Sequence, residues 1–406
     1  MNLAFAKDVY LVDGKARSCI YDLNAGKLYS INHLLAEKLH DICDKGQFDI
    51  SVDEELAKLI DKFISLGILE KSSCNQTHDI SELKETDTHI GMVWVEITSK
   101  CNLRCIHCYN ESDSQSLGEM SLNDYKLVID NVEKLHTPRL QIIGGEPFVN
   151  KPLLKEMLKY TVGKFEKIEI FTNGTLITDD WYEFLKKNNI YIALSVYSYV
   201  EDQHDNVTGN KGSWYKTNTT IKKLHDYGIN YRICNILMKN IALGERNTDL
   251  YELSSEKDVV RMTGRANFRL LTDELIEKKL ITKNTFSAPI TKAYVRRLIS
   301  GHNCYGSKLY ISSSLEVFPC VMERRFKHCS IDRDAPIKLD ENILRMNKDK
   351  VNDCAECEYR YACFDCRPNS LSGSVTEKPW YCTYNPQKGI WDEKEQFIQN
   401  LRKAWE

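Results

Sequence analysis

The chain has 406 residues, enough for two or three domains with separate cores. A formal net charge of -3 with dispersed Lys and Arg leaves no electrostatic footprint for nucleic acid, and no apolar run approaches the ~18–20 residues that span a bilayer. Its fifteen cysteines are too sparse for a disulfide scaffold, which runs above ~8–10% Cys.

The N-terminus lacks a signal-peptide pattern, so the expectation is a cytoplasmic protein with no membrane segment. In that reducing compartment clustered cysteines mean metal or catalysis, and five of them lie between Cys354 and Cys382.

Three short strands are predicted at 8–12, 16–23 and 27–32. Asp13-Gly14 and Asn24-Ala25-Gly26 break them. Leu34, Leu35, Leu39 and Ile42 then recur at helical spacing, as do Leu56, Leu59, Ile60 and Phe63. Leu66-Gly67-Ile68-Leu69-Glu70 reads as a helix stop followed by a wing strand. Residues 1–72 thus form a small winged-helix module. Through Asp22-Leu23-Asn24, the 27–32 strand and residues 66–70, it resembles the PqqD-like leader-peptide recognition fold. That resemblance implies a peptide leader adding as a strand at the sheet edge. A structural cap is the alternative; a DNA-binding winged helix lacks its basic recognition helix. Polar residues 73–90, with Cys74, read as a linker.

From residue 91 strands and helices alternate. Strands are predicted at 92–98, 139–143, 167–171, 190–196, 231–237 and 267–271, and helices at 121–135, 151–163, 178–188 and 214–227, with Ser121 as an N-cap. Such repeats imply a parallel sheet with right-handed crossovers over residues 91–300.

The first strand feeds Cys101, Cys105 and Cys108, spaced C-x3-C-x2-C. This is one thiolate short of a closed zinc or [4Fe–4S] site. Zinc completed by His107, or buried free thiols, are the plain readings. The spacing closely resembles that of the radical S-adenosylmethionine (radical SAM) enzymes. The resemblance implies a partial (β/α)6 barrel and a [4Fe–4S] cluster whose open iron binds the amine and carboxylate of S-adenosylmethionine. One electron then cleaves the sulfonium, and a 5′-deoxyadenosyl radical abstracts hydrogen from substrate.

It also implies cofactor contacts from Gly144-Gly145-Glu146-Pro147 after the second strand, with Glu146 as an acceptor. Further cofactor contacts are expected from Thr172 and Asn173 after the third strand, from Ser195 on the fourth and Asn235 on the fifth, and from His107. Thr208 stands where many relatives carry an arginine for the S-adenosylmethionine carboxylate; Arg232 or Arg265 is the substitute. Residues 261–265 read as a loop over the barrel mouth.

In residues 301–406, Cys304 and Cys320 flank a predicted hairpin (309–312, 316–318). Cys354-x2-Cys357-x5-Cys363-x2-Cys366 follows, then Cys382. The pattern resembles the SPASM domain, which holds auxiliary [4Fe–4S] clusters. Carried over, Cys354, Cys357, Cys363 and Cys382 hold one cluster and Cys304, Cys320 and Cys366 another. The second lacks a fourth cysteine: either Cys329 supplies it or one iron is open to a substrate thiolate. Zinc ribbons built from the same cysteines are the alternative. Two departures are the spacing before Cys366 and Leu315 in place of a glycine. Cys19, Cys43 and Cys234 read as core or strand thiols.

Residues 357–363, Tyr384-Asn385-Pro386 and Gly389-Ile390-Trp391 are similar to grasp-with-spasm and CXXX-repeat peptide maturases. The implied activity is crosslinking of a leader-bearing precursor peptide, first a Cys thioether, next a carbon–carbon or carbon–oxygen bond. A flavodoxin- or ferredoxin-like protein would supply electrons. No catalytic acid or base can be singled out. A sulfatase-maturing type of oxidase and a non-catalytic peptide-binding scaffold are the other readings.

Overall fold

The computed structural model describes residues 2–45, 54–72, 78–87, 89–246, 255–333, 335–370 and 374–405. Cys74 and part of the expected linker lie outside them.

The expected N-terminal strands are present as β2 (Val9–Asp13), β3 (Arg17–Asp22) and β4 (Lys27–Asn32), an antiparallel sheet in that order. An additional strand, β1 (Asn2–Phe5), pairs antiparallel with β5 (Leu69–Ser72) in a separate ribbon. Helices His33–Lys45 and Glu54–Ser65 lie between. Leu39, Ile42, Ile60, Phe63 and Ile68 bury one face of this layer. On the other, Tyr10, Val12, Cys19 and Tyr21 pack against Tyr359, Tyr361 and Tyr384 of the C-terminal region. The N-terminal sheet is therefore covered on both faces, and Tyr21 Oη donates to the Glu358 carbonyl at 2.9 Å.

Six parallel strands follow in chain order: β6 (Met92–Glu96), β7 (Arg139–Ile143), β8 (Lys167–Thr172), β9 (Tyr191–Ser195), β10 (Tyr231–Leu237) and β11 (Ser255–Val259). Helices Leu122–Glu133, Lys151–Thr161, Asp179–Lys187 and Ser213–Asp226 make the crossovers. Ser121 caps the first, accepting from Asp124 N. The sixth strand is not at 267–271, where Asn267 instead caps the single 3-10 turn Phe268–Leu270. It lies earlier, in the polar run of β11, whose composition suits the edge of a sheet.

The other edge is not free. β12 (Lys308–Ile311) pairs parallel with β6, and β13 (Glu316–Phe318) and β14 (Cys329–Ser330) continue antiparallel. The expected C-terminal hairpin is thus part of a nine-stranded sheet running from β11 to β14. Val93, Val95, Ile142, Ile170, Ile192, Ile233, Leu309 and Ile311 form its buried spine.

Candidate active site

The cysteine loop, Gly144, Gly145, Thr172, Asn173 and Ser195 gather at the carboxyl ends of the parallel strands, where open α/β sheets bind ligands. The loop after β6 carries Cys101, Cys105 and Cys108 and is held on three sides by backbone. Gly145 N donates to Thr98 O at 2.7 Å and Glu146 N to Lys100 O at 2.8 Å. Arg104 N donates to Thr208 O and Ile106 N to Val207 O. Arg265 N donates to Cys108 O at 3.0 Å.

The two glycines have a steric reason within the fold. A Cβ on Gly144 would stand 2.5 Å from Thr98 O, and one on Gly145 2.2 Å from Lys100 O. Their smallness lets the loop after β7 lie directly on the cysteine loop. Glu146 is fully buried and its carboxylate is engaged inside the protein. It accepts from Phe148 N at 3.0 Å, Thr172 Oγ1 at 2.7 Å and Asn173 N at 2.8 Å. Burial raises this carboxyl above the usual range, against those three bonds. Glu146 and Pro147 do not line the cavity described below; Glu146 positions the turn after β8.

A cavity of about 1080 Å³ runs along the strands, from Met92, Arg139 and Lys167 at their amino ends to the cysteine loop at their carboxyl ends. Cys101, Cys105, Cys108, His107, Gly144, Gly145, Thr172, Asn173, Ser195 and Asn235 all line it. So do Cys304, Cys320 and Cys366. Asn173 Nδ2 lies 3.9 Å from Cys101 Sγ. Asn235 is committed elsewhere, donating to Val196 O and accepting from Ser255 and Tyr199. His107 rests edge-on against Tyr197, its Nδ1 buried without a partner. Burial alone lowers its pKa to about 4, so the ring is neutral.

Neither proposed substitute for the missing arginine is free. Arg265 reaches Cys105 O, Ser112 O and Glu111 O and so clamps the cysteine loop. Arg232 pairs with Glu169 and Glu256. Burial pushes the Glu169 carboxyl up, but Arg232 and Lys167 outweigh it and leave it below the usual range. Thr208 itself is buried, its hydroxyl 2.7 Å from Ser213 Oγ.

Burial pushes the Cys101 and Cys105 thiols up to about 12. A metal must therefore displace protons there, which a thiophilic cluster can do. Among the described residues no three His, Cys, Asp or Glu converge tightly enough for one ion. A four-iron cluster spreads its thiolates wider. Three thiols on one loop, a ring nitrogen without a partner and no fourth cysteine in that loop fit such a cluster with one open position.

Several of the C-terminal thiols are buried and feel one another. Burial raises Cys366 to about 12, Arg261 opposes it, and Cys320 and Cys304 add to the rise. Cys382, raised by burial, also feels Cys354, as Cys357 feels Cys363 and Cys354. Buried Lys348 donates from Nζ to Cys363 Sγ at 3.4 Å. Cys329 sits on β14 opposite Val317, against the sheet core, and is not among the residues that line the cavity. Cys234 is a strand residue that faces the cavity beside Arg232.

Residues 95–245 match the family model described as the radical SAM superfamily. The chain carries a radical SAM domain. Among curated proteins, the subtilosin biosynthesis protein AlbA of Bacillus subtilis is 39% identical over 175 residues, 43% of this chain and 37% of that protein. The chain thus matches little more than a third of AlbA. An AdoMet-dependent heme synthase of Methanosarcina barkeri is 25% identical over 72% of this chain and 96% of its own length. The Streptococcus suis SuiB structure superposes with a TM-score of 0.56 at 15% identity, covering 93% of this chain and 98% of that one. It has been solved bound to S-adenosylmethionine and to the precursor peptide SuiA. At that identity the likeness is one of fold. The match begins in β6 and ends beyond β10, so the cysteine loop and strands β7 to β10 lie within it and β11 lies beyond it.

Proposed function

We propose that this chain is a radical SAM peptide maturase, acting on a ribosomally made precursor and first of all forming a Cys thioether. The observation that carries the reading is that Cys101, Cys105 and Cys108 share one cavity with Cys304, Cys320 and Cys366. The first set would hold the [4Fe–4S] cluster that binds S-adenosylmethionine, and the domain from residue 301 would be a SPASM domain with two auxiliary clusters. Bound there, the cofactors supply one-electron cleavage of the sulfonium and hydrogen abstraction. Gly144 and Gly145 set the cysteine loop, and Glu146, Thr172 and Asn173 brace it. Ser195, the last residue of β9, and Asn235, on β10, would stand beside the cofactor. A substrate cysteine thiol would approach the open side of the Cys304, Cys320 and Cys366 group.

Residues 1–72 would receive the leader. β4 is paired on one side only, and Lys27, Leu28, Tyr29 and Ser30 line a second cavity of about 590 Å³. An added strand gains backbone hydrogen bonds there. A flavodoxin- or ferredoxin-like reductant is expected.

The near-full-length match to a heme synthase favours a second reading, in which the substrate is a tetrapyrrole. Incubation with the candidate precursor, S-adenosylmethionine and dithionite separates them. Loss of two hydrogens from the peptide, with one 5′-deoxyadenosine formed, supports the first. Turnover of a porphyrin with an unchanged peptide sinks it.

A further inference from the structure

The cavity is strongly positive although the chain is acidic overall. Eight Lys and Arg line it against three carboxylates, while the whole chain carries a formal charge of -3. The three carboxylates are already paired: Glu169 and Glu256 with Arg232, Asp258 with Arg261 and Lys279.

Arg261 is a cation of this lining with a contact near Cys320, through Met322. It follows β11, three residues beyond Asp258. Its Nε and Nη2 donate to Asp258 Oδ2 at 3.1 and 2.8 Å. Lys279 holds the other oxygen of that carboxylate at 2.8 Å. Asp258 therefore fixes one side of the guanidinium. The remaining Nη1 meets only Met322 Sδ at 3.6 Å, a weak acceptor. Two residues on, Thr263 lines the same cavity and its hydroxyl is buried without a partner. Gly264 then packs on Cys108 O, with a positive φ of 59°. The segment so joins the cysteine loop to the Cys366 side. A half-engaged guanidinium next to an unpaired hydroxyl is a receptor for a planar carboxylate.

We propose that Arg261 and Thr263 bind an acidic side chain of the substrate peptide, next to the residue that reacts. This rests on the peptide-maturase reading and names the substrate class within it. The methionine carboxylate of S-adenosylmethionine has the same chemistry. Arg261 Nη1 lies 3.6 Å from Met322, two residues after Cys320, and so stands on the Cys320 side of the cavity, which favours the substrate as the source.

The test uses the full chain with reconstituted clusters and two pentapeptide amides bearing a neutral dye, Gly-Ala-Asp-Ala-Gly and Gly-Ala-Asn-Ala-Gly. Fluorescence anisotropy reads binding with and without saturating S-adenosylmethionine. The aspartyl probe should bind roughly tenfold tighter, the scale of one charge-assisted hydrogen-bonded pair. That preference should vanish in Arg261→Gln, survive in part in Arg261→Lys and shrink in Thr263→Val. Asp258 keeps Lys279 in the glutamine variant, so no carboxylate is orphaned. Equal binding of the two probes by the wild type overturns the inference, as does a preference that persists in Arg261→Gln. A preference lost when S-adenosylmethionine is added assigns the carboxylate to the cofactor and also overturns it. Formation of 5′-deoxyadenosine by the wild type is measured in parallel. Its absence indicts the maturase reading; its presence with equal probe binding indicts only this inference.

Discussion

A methyl group at position 145 would have nowhere to go, since its carbon would stand 2.2 Å from Lys100 O. Gly145→Ala must push the cysteine loop off the loop after β7, at about 1–3 kcal/mol. The expected outcome is a folded protein that loads roughly a third less iron, one cubane of three; iron assay alongside circular dichroism checks it. Glu146→Gln presents an amide where Phe148 N, Thr172 Oγ1 and Asn173 N all donate. One donor then faces a donor, at a cost of about 1–3 kcal/mol, which denaturant unfolding would read. Histidines act in the same direction under acid. Burial lowers the pKa of His204 and His328 to about 4. Their unfolded forms bind protons from about 6.5 downward. Stability is thus present above that pH and is lost as pH falls through the window toward 4. Thermal unfolding of the cluster-free protein should show its midpoint dropping across that range; a flat profile would refute the assignment of neutral rings.

At the level of elements, β12 joins the C-terminal region to β6 through parallel pairing. Its Tyr310 hydroxyl donates to buried Glu96 at 2.7 Å, and Ser313 adds a second bond at 3.0 Å. Glu96 is the last residue of β6, five before Cys101. Tyr310→Phe should therefore destabilise the protein by about 1–3 kcal/mol and loosen the strand that feeds the cysteines. Hydrogen exchange at Val93–Val95 amides reports the second effect. This pairing could not be read in advance. Alternation and turn residues marked β2 to β4 and β6 to β10, because each signals its own burial locally. The partner of β6 lies more than 200 residues away, and nothing local in Lys308–Ile311 names it. β11 was missed for the opposite reason: Ser-Glu-Lys-Asp-Val has an edge strand's polarity and no apolar run. Cysteine spacing singled out thiols that the fold does bring to one cavity, Cys101, Cys105, Cys108, Cys304, Cys320 and Cys366. The work of Arg265 was invisible, because its partners are backbone carbonyls of a distant loop.

Across the whole molecule, the ten cysteines of the three proposed groups allow one clear accounting. Anaerobically reconstituted protein should hold about twelve irons, falling to about eight when Cys101, Cys105 and Cys108 are all alanine. About four, lost entirely in that variant, would leave the C-terminal thiols as zinc ligands or plain structure. The chain also ties its ends together: Tyr384 Oη donates to Glu358 at 2.7 Å, and Ser30 of the N-terminal sheet reaches the same carboxylate. Leader docking on residues 1–72 would so be felt by the segment that holds Cys357 and Cys363.

The union of β6 with β12 also sets a clock. β6 leaves the ribosome some 200 residues ahead of its partner, an interval of roughly 10–40 s at ordinary synthesis rates. Through that interval the strand bearing the cysteine loop has one bare flank. On the proposed reading, iron would reach Cys101, Cys105 and Cys108 most readily then, before β12 pairs with β6.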